Sequence, residues 1–206
     1  MSIGILAYGS LIDNPGTEIE QKIIDRLTEI HTPFKVEFAR LSTSRGNAPT
    51  LIPTSNCGAK VKAVILVLNE ATTIYEAKNI LYRREHHKVS DKSIMYTKWL
   101  PPTNNQVRIK ALKGFSTIDT VLYTYIQSNI RLEDLTAKYL ASMAINSVYK
   151  AKDGEDDISY LMSAKHNGII TPLLPDYDKE ILKQTSTGDL NQALIEINNR
   201  RHNAIQ

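Results

Sequence analysis

The sequence predicts an α+β fold, in which a mixed, curled or barrel-like β-sheet with flanking helices is followed by a helical C-terminal extension. Three observations predict it. Short apolar, β-rich runs recur seven times before residue 128; two stretches among them carry apolar residues at helical spacing instead; and after Ser128 the spacing turns helical. Many short strands interrupted by only two helices suit a sheet that curls or closes on itself.

Taken in order, residues 3–8 are short and apolar, bounded by Gly4 and Gly9, and predict a buried strand that stops in a loop at 9–16. Ile19, Ile23, Leu27 and Ile30 follow at spacings of four, four and three with Glu and Lys between them. That pattern predicts an amphipathic helix, ended by Pro33. Strands are expected at 34–41, 50–53 and 60–68, separated by Ser, Arg, Gly, Asn and Pro. A second helix is expected over 71–88, where Ile74, Ala77 and Leu81 form an apolar stripe and the interior lacks Gly and Pro. Further strands are expected at 93–100, 106–112 and 120–126. Beyond them, Leu132, Leu135, Tyr139 and Met143 predict one helix, and 158–165 and 189–200 two more. The breaks at 152–157 and 168–175 are too short for independent linkers. Residues 1–128 are therefore expected to form a core and 129–206 a helical extension packed on it, as a single folding unit.

Composition narrows the function classes. The 206 residues are 42% hydrophobic, 23% charged and 7% aromatic, the balance of a soluble globular protein and not of a disordered or fibrous one. Lys and Arg number 25 against 22 Asp and Glu, and a net charge of +3 does not argue for a nucleic-acid partner. A single cysteine, Cys57, excludes an internal disulfide, and residues 1–20 lack the pattern of a secretory signal, so a cytoplasmic location is expected. The most continuous apolar run, 63–68, falls far short of the roughly 20 residues of a membrane span.

Two places carry candidate chemistry. In Ala7-Tyr8-Gly9-Ser10-Leu11 the glycine permits a sharp turn with an unshielded amide, so that adjacent N–H groups can converge on an anion and Ser10 can add its hydroxyl; a plain turn is the competing reading. Glu85 lies four residues beyond Leu81 on the stripe of Ile74 and Ala77, which puts its carboxylate on the buried side of the helix. Burial raises a carboxyl pKa and a nearby cation opposes the rise, the combination that tunes a proton carrier. The competing reading is a surface pairing of Glu85 with Arg84 or Lys88. Arg45 has the fork geometry for a substrate carboxylate, or for a surface salt bridge. Tyr123 and Tyr125 share one face of their strand, where tyrosines ordinarily pack with a wet hydroxyl.

Both places resemble the gamma-glutamylcyclotransferase superfamily. Ala7 to Leu11 is similar to its Tyr-Gly-Ser-Leu loop, and Leu81-Tyr82-Arg83-Arg84-Glu85 resembles the helix that carries its essential glutamate. Between them, Ser44-Arg45-Gly46-Asn47-Ala48-Pro49-Thr50-Leu51 resembles the Arg-Gly and Thr-Leu segment of the glutathione-acting branch. The resemblance spans about the first 125 residues. Where that branch has glycine-rich sequence after its glutamate, this chain has His86, His87, Lys88 and Val89.

The resemblance implies a gamma-glutamylcyclotransferase-like fold for the core and a transferase or lyase that releases 5-oxoproline from a γ-glutamyl amine or amide. The substrate's own α-amine is the nucleophile, Glu85 is the catalytic general acid and base, and Tyr8, Gly9, Ser10, Leu11 and Arg45 bind substrate. The alternative is a non-catalytic sensor for a γ-glutamyl or other small carboxylate ligand.

No cofactor and no metal are expected. His86 and His87 are adjacent and diverge by about 100° on a helix, and His31, His166 and His202 are scattered. Gly4 and Gly9 do not make a dinucleotide-binding fingerprint. Arg83, Arg84, Lys88 and Lys92 read as a solvated face or as neighbours that tune Glu85, not as a nucleic-acid or membrane surface.

Overall fold

In the computed structural model, which describes residues 1–97, 103–152 and 154–203, the chain is α+β with a mixed sheet and six helices. It divides into two compact units, each built from two stretches of sequence: Met1–Pro33 with Val61–Gln127, and Phe34–Lys60 with Ser128–Gln206. The strands at 34–54, which the sequence groups with the N-terminal core, thus belong with the C-terminal helices.

The first unit holds strands β1 (Ile3–Ala7), β2 (Ile23–His31), β5 (Lys62–Leu68), β6 (Arg108–Phe115) and β7 (Ile118–Tyr125) in the order β2-β5-β1-β7-β6. β1 is central, antiparallel to β5 and parallel to β7. Of the expected curled or barrel-like sheet the closed barrel does not form: among the described residues, β2 and β6 are the terminal strands of the sheet. Closure would need those edges to pair with each other, and both are instead terminal in the hydrogen-bonded order. One face of the sheet packs against α2 (Ile74–Glu85) through Ile5, Ala7, Leu66, Leu122, Ala77, Ile80 and Leu81. Alternate residues of a strand share a face, and the stripe of α2 recurs every three to four residues, so both surfaces present an apolar row. Thr73 caps the helix by accepting a hydrogen bond from the Glu76 amide at 3.1 Å.

The helix expected over 19–30 is a strand in its larger part. Only the short helix α1 (Thr17–Glu20) is helical there, and β2 runs from Ile23 to His31 along β5. Leu27 and Ile30, an odd number of residues apart, would fall on opposite faces of a regular strand. A register shift lies between them, with Glu29 at φ 56°, and this irregularity returns both to the half-buried side. The helical spacing is thus produced by a bulge. The expected strand at 93–100 is irregular as far as residue 97, and the rest lies outside the described residues.

The second unit pairs β3 (Lys35–Ser42) with β4 (Ala48–Thr54), antiparallel, and adds helices α3 (Ala137–Val148), α4 (Asp157–His166), α5 (Leu174–Thr185) and α6 (Leu190–Asn203). Its core centres on Phe38, fully buried, with the rings of Tyr160 and Tyr177 edge-on to it at 6.2 and 5.4 Å. Helix α5 occupies a stretch between the helices expected at 158–165 and 189–200. Pro175 stands in its first turn, and Leu174, Tyr177 and Ile181 recur at spacings of three and four as its buried face.

Gly58 closes this unit's small sheet at φ +80°, where an added Cβ would lie 2.3 Å from the Val36 carbonyl oxygen. That oxygen accepts the Ala59 amide at 3.2 Å, and the Val36 amide donates to the Ala59 carbonyl at 2.8 Å. Gly58→Ala is expected to cost about 2 kcal/mol or more, from the left-handed conformation and from the backbone clash together. The check is the urea midpoint, together with faster amide exchange at Val36 and Ala59.

Candidate functional site

Strand β1 ends at Ala7, and the chain turns at Gly9, whose φ of 122° is open to glycine and strained for other residues. The turn closes through the Ile12 amide donating to the Gly9 carbonyl at 3.0 Å and the Asn14 amide to the Ser10 carbonyl at 2.8 Å. Tyr8 and Leu11 are buried and Ser10 is half-buried. Among the described residues, none accepts a hydrogen bond from the backbone amides of Ser10 and Leu11. The Tyr8 hydroxyl donates to the Thr124 carbonyl on β7 at 2.7 Å, which fixes the start of the loop against the sheet.

Glu85 is the last residue of α2, and its side chain is 21% exposed. Arg84, 17% exposed, donates from Nη1 to Glu85 Oε1 at 2.9 Å and from Nη2 to Ser10 Oγ at 3.0 Å. Its Nε and Nη2 also reach the Asn14 carbonyl at 3.1 and 2.8 Å. One guanidinium therefore links the carboxylate at the end of α2 to both ends of the 10–14 turn, across 74 residues of sequence. Arg84 accordingly pairs with Glu85 as one of the sequence alternatives had it, and both side chains are half-buried.

Two consequences follow for chemistry. Ser10 accepts from Arg84, so its hydroxyl hydrogen remains for another acceptor. Glu85 Oε2 accepts no hydrogen bond among the described residues, which leaves it open to a ligand.

The surroundings hold this arrangement in place. Arg83 makes a two-point pair with Glu18 of α1, at 2.8 and 2.7 Å, and the Ser90 amide donates to the same carboxylate at 2.9 Å. The hydrogen bond from Arg83 outweighs partial burial and holds the Glu18 carboxyl below its ordinary pKa. Arg83 is thus not part of a solvated basic face; it ties α1 and the 88–94 segment to the end of α2. The His86 ring lies 4.2 Å from that of Tyr82, and burial pushes the imidazole pKa down although Glu85 opposes this.

No protein-family model matches the chain, and no curated protein resembles it significantly in sequence.

Arg45 belongs to the second unit. Its Nε donates to the Glu155 carbonyl at 2.9 Å and Nη2 to the Asp156 carbonyl at 3.1 Å, while Nη1 reaches Thr50 Oγ1 at 3.4 Å. The guanidinium also lies over the Tyr160 ring, 4.4 Å from its centroid. These contacts join the β3–β4 turn to the start of α4. Tyr8, Gly9, Ser10, Leu11 and Glu85 all lie in the first unit. Arg84 is the residue whose bridging part the sequence did not show. A planar donor fork beside a candidate carboxylate is visible there, but its second partner lies far back in the chain. Among the described residues, no group of three or more His, Cys, Asp or Glu is placed to hold a metal ion, and no helix is long and apolar enough to cross a membrane.

Proposed function

We propose that this protein releases 5-oxoproline from a γ-glutamyl amine or amide, with Glu85 carrying the proton and the 8–11 turn holding the glutamyl unit. The observation that carries the reading is the Arg84 bridge, which holds the Glu85 carboxylate and Ser10 on one guanidinium. The resemblance of both segments to the gamma-glutamylcyclotransferase superfamily supports it.

The chemistry needs no oxidant and no external nucleophile. Glu85 Oε2 takes a proton from the substrate's α-ammonium, and the freed amine attacks the γ-carbonyl carbon, forming the ring C–N bond. Negative charge develops on the carbonyl oxygen, and the amides of Ser10 and Leu11 are donors for it. The tetrahedral centre collapses, the bond to the departing nitrogen breaks, and that nitrogen leaves with the proton from Glu85; the carboxylate so regenerated takes the second hydrogen of the positively charged ring nitrogen, which leaves the neutral lactam, and passes it to the released amine, which departs as an ammonium. Holding amine and carbonyl in one folded glutamyl unit makes the attack intramolecular, which is a large share of the rate enhancement.

The test is incubation of the purified chain with γ-glutamyl amino acids, γ-glutamyl amines and glutathione, with 5-oxoproline measured directly. Release from at least one substrate class is the expected result. Saturable binding of these compounds with no release from any of them makes the protein a sensor of γ-glutamyl ligands instead.

A further inference from the structure

Residues 92–118 contain five basic residues, Lys92, Lys98, Arg108, Lys110 and Lys113, and no acidic one. Three of the five fall on the edge strand β6. Lys113 is accounted for, since its ammonium donates to Thr120 Oγ1 at 2.8 Å. Arg108 and Lys110 are not. They sit two residues apart, on one face of the strand, opposite Tyr125 and Tyr123 of β7.

Both cations lie against the same ring. Lys110 Nζ is 3.6 Å and the Arg108 guanidinium carbon 5.8 Å from the centroid of Tyr125. Among the described residues neither makes an ion pair. Among the described residues, Arg108 Nε is shielded from solvent and has no acceptor, and Gln106 Oε1, two residues earlier in the chain, is shielded and has no donor. Unmet buried polar atoms of this kind mark the place of a missing partner. Burial and the neighbouring Arg108 both push the Lys110 ammonium below its ordinary pKa, and no acid opposes them.

Edge strands often carry lysine to discourage pairing with another chain, but such a guard works by projecting its charge into water. Lys110 is exposed in this way, but its ammonium lies over the ring that the Arg108 guanidinium also approaches, and Arg108 has a hydrogen-bond donor turned inward.

We propose that Arg108 and Lys110, seated on Tyr125, form an oxyanion site for a small carboxylate- or phosphate-bearing ligand. A ligand oxygen accepts from Arg108 Nε and lies beside the Lys110 ammonium. The site is independent of the reaction proposed for Glu85.

The experiment is NMR titration of the full chain with inorganic phosphate and, separately, with acetate, at constant ionic strength set by potassium chloride. Saturable shifts of the Arg108 Nε–H and the Lys110 ammonium are expected with at least one of the two, and the tighter binder identifies the headgroup. Arg108→Gln and Lys110→Gln are each expected to weaken binding roughly tenfold or more, as loss of a charge-assisted hydrogen bond does. Lys113→Gln is expected to leave it unchanged. With anion bound, the Lys110 ammonium is expected to titrate at higher pH, a change that a packing role alone does not produce. Should either glutamine variant lose the native spectrum, Arg108→Lys and Lys110→Arg keep the charge and test the geometry alone. No saturable response to either anion overturns the proposal, as does a response that survives both glutamine variants. Binding of a single-stranded oligonucleotide that falls steeply with salt, with no response to the small anions, also overturns it and makes the strand a nucleic-acid surface.

Discussion

Glu85→Gln is expected to lower 5-oxoproline release by roughly 10²- to 10⁴-fold, the contribution of one positioned acid and base, while ligand binding changes little. Glutamine has the shape of glutamate, and its carbonyl oxygen can still accept the hydrogen bond that Arg84 Nη1 gives to Glu85 Oε1 at 2.9 Å. Arg84 therefore keeps its contacts to Ser10 and to the Asn14 carbonyl, and the turn keeps its form. What the amide lacks is an oxygen able to take and return a proton. The loss should appear in kcat with KM almost unchanged. Arg84→Ala differs in kind: it frees the turn as well as the carboxylate, so KM should rise along with the fall in kcat. Steady-state kinetics on any substrate from the γ-glutamyl panel separates the two variants. Near-normal turnover in Glu85→Gln excludes Glu85 as the proton carrier.

What was legible in the sequence depended on whether the deciding contacts were local. Helix α2 was legible because Ile74, Ala77 and Leu81 repeat at its own period and Thr73 caps it within one turn. The run of β1 and its turn was legible for a similar reason, since Gly9 terminates the strand by its own backbone preference. β2 was not, because its apolar spacing becomes strand-like only through the irregularity between Leu27 and Ile30, and that irregularity is defined by pairing with β5 far along the chain. The open sheet was not legible either, since closure depends on which strands lie at the edges and single strands carry little information about their neighbours. At the candidate site, Glu85 and the 8–11 turn stood out as residues, whereas the Arg84 bridge between them is a contact across 74 positions and has no local signature. Arg45 shows the converse. Its fork suits a carboxylate, but main-chain carbonyls of Glu155 and Asp156 and the face of Tyr160 satisfy the same geometry.

The second unit is expected to lose stability as pH rises from about 4 to 7, because of Asp157. This carboxyl is fully buried at the start of α4, and burial pushes its pKa up from 3.8 to about 7. Arg45 and the hydrogen bond from the Tyr177 hydroxyl act against the rise, Asp156 adds to it, and Oδ1 has no hydrogen-bond partner among the described residues. The sign follows from which state holds the proton. Between the unfolded pKa near 3.9 and the folded value near 7, the folded chain keeps the proton and the unfolded chain has released it, so each rise in pH favours unfolding. The stabilisation is whole below about pH 4 and gone above about pH 7. Burial also raises the pKa of Glu37 on β3, which adds to the same trend. Glu18, Asp91 and Asp119, whose pKa values are lowered, act with the opposite sign and belong to the first unit, so the measurement must resolve the two units. Hydrogen exchange of the α5 amides, corrected for the intrinsic rate at each pH, does this. Protection around Tyr177 and Ile181 should be greater at pH 5 than at pH 8, and Asp157→Asn should flatten the dependence, because an amide still accepts from Tyr177 and has no charge to desolvate. An equal slope in Asp157→Asn would assign the pH dependence to another group.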